Sequence, residues 1–343
     1  MKASHPRASA RALSRIVAVG AALLIAVLYA FIASSDPRQA LKAFFLGPLS
    51  SWYPFLALLE SSASLLLCAL GACIAFRAGA FNLGGEGQAS VGTLAAAIVA
   101  GASGGSCLSP AFVIAAAILA AAAAGAALAL ISALAERWTG AQIMLTSFLL
   151  SQATIIAVDW AVGGPLKDPA SNLLGMPPIA ANFRLPLLSR PSPLSLAFPL
   201  SIGAALCTVF FTKATRTGLE LRMLGKNPQF ARAAGLSPAL GVWAMAISGA
   251  LGGTAGSFLV LGQAGRAIKG MTGGVGWNGL AIALIAGSDG LGAVPAALFF
   301  AWLDSGSRQA SILADLSPDA SSILVAAALL LITAKLRARG RPE

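Results

Sequence analysis

Residues 110–134 have the sequence PAFVIAAAILAAAAAGAALALISAL, which contains no charged side chain. A helix of about 20 apolar residues is long enough to cross the hydrocarbon core of a bilayer. Alanine and glycine lie all around this segment, so neighbouring backbones could approach it closely, as helices do inside membranes. The stretch predicts a membrane-spanning helix, and similar stretches recur along the chain.

The composition of the whole chain also indicates that lipid surrounds it. Of its 343 residues, 57% are hydrophobic and 10% are charged, and the mean hydropathy is +0.83. This leaves too little polar surface to cover a water-soluble globule of this size, so the lipid bilayer is the expected surrounding. The net charge of +11 does not indicate a nucleic-acid partner, because the cations lie at the termini and in short links, without interleaved aromatic residues for base stacking.

Measured in lengths of about 20 residues, the chain divides into about ten apolar spans. This predicts an all-α polytopic membrane protein with about ten transmembrane helices. The eight clearest spans are residues 16–33, 54–76, 81–101, 110–134, 142–161, 193–212, 238–262 and 320–334. Two shorter, glycine-interrupted spans are predicted at residues 276–287 and 291–304.

Basic residues at both ends of the chain predict its orientation. Four cations precede the first span and four follow the last, so the positive-inside rule places both termini in the cytoplasm. Residues 1–15 and 335–343 are then cytoplasmic tails of a single transmembrane domain, residues 16–334. The link 163–191 falls outside and segment 213–237 inside. Arg266 and Lys269 fall outside against the rule, which indicates either a functional exception or a miscounted short span.

The first apolar run could instead be a cleaved signal peptide, although residues 33–35 offer only a weak cleavage site. A polytopic protein already carries an insertion signal in its first span. We therefore favour a first membrane span over a cleaved signal.

Segment 213–237 is a polar interruption between two apolar spans. It carries five cations against the single anion Glu220. Within it, residues 227–235 (NPQFARAAG) predict a short helix with both ends specified. Asn227 caps the first turn, Pro228 occupies a position that needs no amide partner, and Gly235 ends the helix. A stiff basic helix, roughly 10 Å long, predicts a docking site for a soluble partner.

Glu86 is a carboxylate inside a predicted span. It lies in residues 79–88 (GAFNLGGEGQ), together with Phe81, Asn82 and Gln88. Carboxylates are costly in the bilayer and tend to face a cavity or a partner, and the glycines weaken the helix around this one. Glu86 and Gln88 either line a transport path or bond neighbouring helices or Arg77 and hold the bundle together.

A second glycine-rich interruption, residues 270–279 (GMTGGVGWNG), contains Trp277 and Asn278. In the predicted topology the two interruptions open spans of opposite direction, which is typical of an inverted repeat around a central path. A chance match of two short segments is the alternative. The predicted pathway residues are Phe81, Asn82, Glu86, Gln88, Trp277 and Asn278.

Three stretches together resemble a known family. Residues 79–88, residues 218–228 (GLELRMLGKNP) with Ala234-Gly235, and residues 276–284 (GWNGLAIAL) are similar, in order and spacing, to permease subunits of bacterial ABC importers. The resemblance is to importers of nucleosides, riboflavin and simple sugars, and it covers nearly the whole chain. The chain departs from the family at Gln142, where an acidic residue is frequent, and at Phe230, where a small residue is usual.

The resemblance implies a multi-pass protein of the bacterial inner membrane, working as a homo- or heterodimer of permeases. A cytoplasmic ABC ATPase would bind ATP and Mg²⁺, and a periplasmic or lipoprotein solute-binding protein would deliver a nucleoside-like solute, riboflavin or a sugar. This chain has no P-loop sequence, and no cofactor is expected on it. The short helix would be the coupling helix, with the ATPase contacts Arg222, Gly225, Asn227, Pro228, Ala231, Arg232 and Gly235.

Other classes of protein predict different behaviour. A secondary transporter would use Glu86 to carry protons or sodium down a gradient and would not need the capped cytoplasmic helix. A scaffold protein would show no activity that depends on a solute. An enzyme is disfavoured because no paired catalytic groups can be assembled, since the one histidine, His5, lies in the tail.

Overall fold

The computed structural model describes residues 36–314 except 105, 106, 190 and 238, together with residues 24, 28, 34 and 323. In this part of the chain every regular element is helical, and the β-type pairings are two isolated bridges, Gly175 with Ile268 and Leu187 with Ser195. This confirms the all-α class for the described residues. They fall into two compact units, one from Met1–Phe55 and Phe299–Glu343 and the other from Leu56–Leu298.

The helices are numbered here in chain order. They are α1 (Pro37–Leu46), α2 (Trp52–Arg77), α3 (Gly85–Ala102), α4 (Pro110–Thr139), α5 (Ile143–Gly163), α6 (Ala197–Ala214), α7 (Arg216–Lys226), α8 (Pro228–Ala233), α9 (Ala239–Phe258), α10 (Val275–Ile285) and α11 (Gly290–Ala314). A π-helical turn, Leu259–Ala264, continues α9. Short 3₁₀ turns lie at Gly47–Leu49 and Ala181–Phe183.

Five predicted spans are confirmed as helices long and apolar enough to cross a membrane: α2, α4, α5, α6, and α9 with its π-helical end. The span predicted at 81–101 begins later, at Gly85, because the glycines and Asn82 form irregular backbone before it. The spans predicted at 16–33 and 320–334, and both basic tails, lie outside the described residues apart from residues 24, 28 and 323.

The two short predicted spans differ from what the structure shows. Residues 276–287 correspond to α10, whose 11 residues rise only about 16 Å. That length cannot by itself cross a hydrocarbon core of about 30 Å, so α10 is a half-helix. Residues 291–304 are the first part of the much longer α11, which has 25 residues.

Close backbone contacts on α9 hold the large unit together. A Cβ atom at Gly253 would lie 2.0 Å from the carbonyl oxygen of Ala121 in α4, and one at Gly92 in α3 would lie 2.2 Å from the carbonyl oxygen of Gly253. The α4 residues on this face, including Ala117 and Ala129, are fully buried. The close approach of neighbouring helices predicted from the alanine-rich stretch is therefore confirmed.

The long link after α5 packs on the loop after the π-helical turn. Met176 N donates to Ala267 O at 2.9 Å, Ile179 N to Gly265 O at 2.8 Å, and Lys269 N to Leu174 O at 2.9 Å. Arg266 and Lys269 therefore lie on the same side of the large unit as the link. This agrees with the sequence topology, in which both segments are outside.

The small unit contains a helix, α1, that the pattern of spans did not predict. Asp36 caps it by accepting a hydrogen bond from Gln39 N at 3.1 Å, and Pro37 follows at the first position. Trp302 of α11 packs on Phe44 and Phe45, and its indole Nε1 donates to Phe45 O at 3.2 Å. The Asp-Pro start was visible in the sequence, but a helix of ten residues is too short to register as a span.

We expect Gly253→Ala to destabilise the protein, because the new methyl group would press on the backbone of Ala121. The cost of overpacking is about 1–3 kcal/mol. The midpoint of thermal unfolding in detergent should fall. The matched control is Gly203→Ala in α6, where a Cβ would meet nothing within 4 Å; alanine there should leave the midpoint unchanged or raise it. Equal midpoints for the two variants would contradict this account of α9.

Candidate functional site

Glu86 lies where two helices begin inside the large unit. It belongs to the first turn of α3, and it is 5% exposed. Its Oε1 accepts a hydrogen bond from Gly274 N at 2.9 Å and its Oε2 one from Gly276 N at 2.7 Å, at the start of α10. Helix N-termini carry partial positive charge, which stabilises a carboxylate. The two glycine-rich interruptions therefore meet at this side chain.

The backbone around the junction requires glycine. A Cβ atom at Gly276 would lie 2.2 Å from the amide nitrogen of Glu86, so no larger residue fits at this contact. Gly274 has a φ of 86°, in the left-handed region that favours glycine. The glycines of the second interruption thus allow the α10 amides to reach Glu86.

Asn82 and Gln88 form a second part of the same buried cluster. Asn82 Nδ2 donates to Gln88 Oε1 at 3.1 Å and to Ser248 Oγ of α9 at 2.8 Å, and Gln88 Nε2 donates to Asn82 Oδ1 at 3.1 Å. Both side chains are buried. These bonds satisfy the two side chains and link the start of α3 to α9.

Serines of α5 satisfy the backbone at the start of α3. Ser147 Oγ accepts a hydrogen bond from Leu83 N at 3.1 Å, and Ser151 Oγ accepts one from Gly87 N at 2.8 Å. Free amides at membrane depth would be costly. The start of α3 and the irregular segment before it are therefore tied to α5 as well as to α9 and α10.

The polar cluster lies deep in the helices that surround it. At 1.5 Å per residue, Cys68 is about 13 Å from the end of α2 at Arg77, and Ser248 is about 13 Å from the start of α9 at Ala239. This depth is near the middle of a hydrocarbon core of about 30 Å. Both residues line a cavity of about 10 Å³ with Asn82 and Gln88, which is room for about one water molecule. The described residues thus close this region to a solute.

The remaining predicted pathway residues lie around this cluster. Trp277, in the first turn of α10, is half-buried against Phe148 of α5, with ring centroids 5.8 Å apart. Asn278, the next residue, is also half-buried. Phe81 stacks on Phe76 at 4.4 Å. The structure therefore gathers Asn82, Glu86 and Gln88 into one cluster, sets Trp277 and Asn278 beside it, and gives Phe81 an aromatic partner instead.

Arg77 was one candidate partner for Glu86, and that pairing is wrong. Its Nε donates to Ser288 O at 2.7 Å, and its guanidinium forms an ion pair with Asp289 at 3.2 Å. Lys213 Nζ approaches the same Asp289 oxygen at 2.9 Å. We call Arg77, Lys213 and Asp289 the ion clamp. It joins the ends of α2 and α6 to the tight turn between α10 and α11.

Glu60 in α2 is a buried carboxylate that the sequence analysis missed. It is 2% exposed. Its Oε2 accepts a hydrogen bond from Ser195 N and its Oε1 one from Ser195 Oγ, both at 2.8 Å. A carboxylate in an apolar span was the signal used for Glu86, and it could have identified Glu60 too. This contact ties α2 to the segment that begins α6.

The basic segment 213–237 contains two helices, α7 and α8. Asn227 Oδ1 accepts a hydrogen bond from Phe230 N at 3.0 Å, and Gly235 has a φ of 79°, so the predicted capped helix is confirmed. Ala231 faces inward, whereas Arg232 is exposed and Phe230 is 57% exposed. The short helix thus presents an exposed surface with one cation and one aromatic ring.

Helix α7 anchors this surface to the membrane part. A Cβ atom at Gly225 would lie 2.2 Å from the carbonyl oxygen of Arg77, so the two backbones touch at the end of α2. Arg222, another predicted coupling residue, has a buried Nε without a hydrogen-bond partner in the described part of the chain. A displacement of α7 would therefore act directly on the end of α2.

Comparison with known proteins identifies the family of this chain. Residues 55–333 match a family described as "Branched-chain amino acid transport system / permease component". The chain belongs to this permease family. The permease is thus a multi-pass membrane protein, as its apolar helices also indicate.

Several similar proteins are transport permeases. "Probable riboflavin import permease protein RfuC" of Treponema pallidum is 35% identical, over 93% of this permease and 84% of that protein. "Guanosine ABC transporter permease protein NupP" of Bacillus subtilis is 28% identical, over 80% and 79%. "Glucose ABC transporter permease protein TsgB13" of Haloferax volcanii is 27% identical, over 86% and 78%. These relatives support an ABC importer permease over an ion-driven secondary transporter.

We expect Glu86→Gln to lower the stability of the permease by about 1–3 kcal/mol, because the NH₂ group of the glutamine side chain cannot accept a hydrogen bond from a backbone amide. Thermal unfolding in one detergent measures the loss. The control is Glu136→Gln, at an exposed carboxylate without an ion pair among the described residues. Unchanged stability with impaired solute transport would instead assign Glu86 to the transport path.

Proposed function

We propose that this permease forms the solute path of an ATP-binding-cassette importer in the cytoplasmic membrane of a bacterium. It would have about ten spans, both termini in the cytoplasm, and inverted repeats that meet at Glu86. A single observation carries the proposal: a permease of this family exposes a capped basic helix, α8, between the spanning helices α6 and α9. That helix is the contact for a separate cytoplasmic ATPase, which binds ATP and Mg²⁺.

We propose that the other partners are a second permease subunit and an external solute-binding protein. The second subunit completes the path, and the binding protein sets most of the specificity. Residues 1–15 and 335–343 act as cytoplasmic tails of the transmembrane domain 16–334. This assignment rests on family membership and on the distribution of cations along the sequence.

The proposed solute is riboflavin or a nucleoside, with simple sugars third. Riboflavin is placed before nucleosides because the relative named for it is 35% identical, against 28% for the guanosine permease. The amides of Asn82 and Gln88 could exchange their mutual hydrogen bonds for the polar edge of such a solute. Trp277 offers a ring for stacking. A neutral aromatic solute suits these side chains better than an ion does.

We propose that the ATPase acts on the path through α10. The turn at the C-terminal end of α10 carries Asp289 of the ion clamp, and Lys213 of that clamp begins segment 213–237, the proposed coupling segment. The N-terminal end of α10 donates the hydrogen bonds to Glu86. A movement of the coupling segment would then shift one end of a stiff half-helix whose other end borders the polar cluster.

Reconstitution tests the proposed function. Uptake of labelled riboflavin or guanosine into liposomes should require the permease, its ATPase, ATP and the binding protein together. Each component is omitted in turn as a control. Uptake by the permease alone under a proton or sodium gradient would overturn the proposal in favour of a secondary transporter that uses Glu86.

Variants of the coupling segment separate ATPase binding from coupling. We expect Asn227→Ala combined with Arg232→Glu, and also Gly235→Pro, to reduce the amount of ATPase that co-purifies. The first removes a cap worth about 1 kcal/mol and reverses a charge, and proline cannot adopt the positive φ of Gly235. Membrane insertion should be unchanged.

The ion clamp should behave differently from α8. Asp289→Asn should keep ATPase binding but lower the uptake obtained per ATP hydrolysed, and Asp289→Glu should restore part of that uptake.

Normal co-purification of ATPase with the α8 variants would contradict the docking assignment. Normal coupling in Asp289→Asn would contradict the route through α10.

A further inference from the structure

A cavity of about 430 Å³ lies between the coupling segment and the ends of three spanning helices. This volume is within the range of small-ligand sites. Its wall is formed by the end of α4, the starts of α5 and α9, and parts of α7 and α8, all within the large unit. The lining residues used below are Glu136, Arg137, Ile143, Leu224, Arg232 and Val242.

The charged side chains of this cavity have no partners in the described part of the chain. Neither Arg137 of α4 nor Arg232 of α8 forms an ion pair or a side-chain hydrogen bond there, and neither does Glu136. The two cations outnumber the one carboxylate. Ile143, Leu224 and Val242 supply an apolar part of the wall. The cavity thus offers both a site for an anion and contact for hydrocarbon.

The position of the cavity is that of a membrane–water interface. The helices α4, α5 and α9 are long enough to span the membrane, and the cavity lies at one end of all three. Trp138 follows Arg137 and is 76% exposed, as is usual for tryptophan at head-group level. Met144 and Leu145, next to Ile143, are also exposed. An opening at this level of a membrane would face lipid head groups.

We propose that the cavity binds the phosphate head group of an anionic phospholipid from the surrounding membrane. Arginine forms short, charge-assisted hydrogen bonds with phosphate oxygens, and basic pockets between membrane helices on the cytoplasmic side bind such head groups. Arg137 and Arg232 hold the phosphate, and Glu136 opposes it. The apolar wall contacts the upper part of an acyl chain.

The bound lipid connects a spanning helix to the proposed coupling helix. Arg137 belongs to α4 and Arg232 to α8, so an anion held by both joins the two helices. The position of α8 then depends on the anionic lipid content of the membrane. The inference rests on the membrane placement of α4, α5 and α9, and it needs neither the solute nor the ATPase.

Native mass spectrometry of the full-length permease in detergent tests the site. The protein is incubated with phosphatidylglycerol or with phosphatidylcholine of the same acyl chains. We expect phosphatidylglycerol to be retained preferentially. Arg137→Gln and Arg232→Gln should each weaken its binding about fivefold. Glu136→Gln is the matched variant from the same cavity, and it should strengthen binding, because it removes the carboxylate that opposes the phosphate.

Three outcomes would overturn the proposal. The first is equal retention of the two lipids. The second is a loss of lipid binding in Glu136→Gln equal to that in the arginine variants. The third is binding of glycerol phosphate as tight as that of the lipid, which would indicate a soluble ligand. Arg137→Lys, which keeps the charge, should retain more lipid than Arg137→Gln, and the unfolding midpoint of each variant shows whether it is folded. Failure here leaves the importer proposal intact, because the test contains no ATPase and no solute.

Discussion

The hydrogen bonds from Gly274 and Gly276 to the carboxylate of Glu86 allow two helices to begin inside the large unit. A carboxylate in the membrane is costly, and the free amides of a helix start are costly there too. At this junction the carboxylate and the amides satisfy each other's hydrogen bonds, at a depth of about 13 Å in the surrounding helices. The irregular segments before α3 and α10 can therefore lie inside the large unit without water molecules to satisfy these polar groups. Glycine at position 276 brings the two backbones close enough for the contact.

The packing around the junction restricts how a path can open. Glycine contacts bring α9 against α3 and α4, and the serines of α5 hold the backbone before α3. The cavity beside Asn82 has a volume of only about 10 Å³. Densely packed interiors shift between discrete arrangements and do not deform continuously. A solute would therefore need a movement of whole helices, and α10 is a short helix with a polar contact at each end.

The sequence predicts the features that depend on local signals. The apolar spans and the cap at Asn227 each follow from a few neighbouring residues. The partner of Glu86 could not be predicted. Its hydrogen-bond donors are backbone amides 188 and 190 positions away, and a sequence does not distinguish one backbone amide from another. Arg77 was the charged residue that the sequence offered as a partner for Glu86, yet its guanidinium group bonds to Asp289 and Ser288. Glu60 was missed because no glycine-rich interruption surrounds it.

The two ends of α10 differ in how firmly they are held. The ion clamp is partly exposed, and ion pairs in contact with water contribute only about 0–1 kcal/mol each. The junction at Glu86 is buried, and breaking it would leave a carboxylate and two amides unsatisfied, which costs about 1–3 kcal/mol for each group. A force arriving from the coupling segment should therefore release the clamp first and pivot α10 about Glu86. On this reasoning Asp289 would act in coupling, whereas Glu86 would stabilise the bundle.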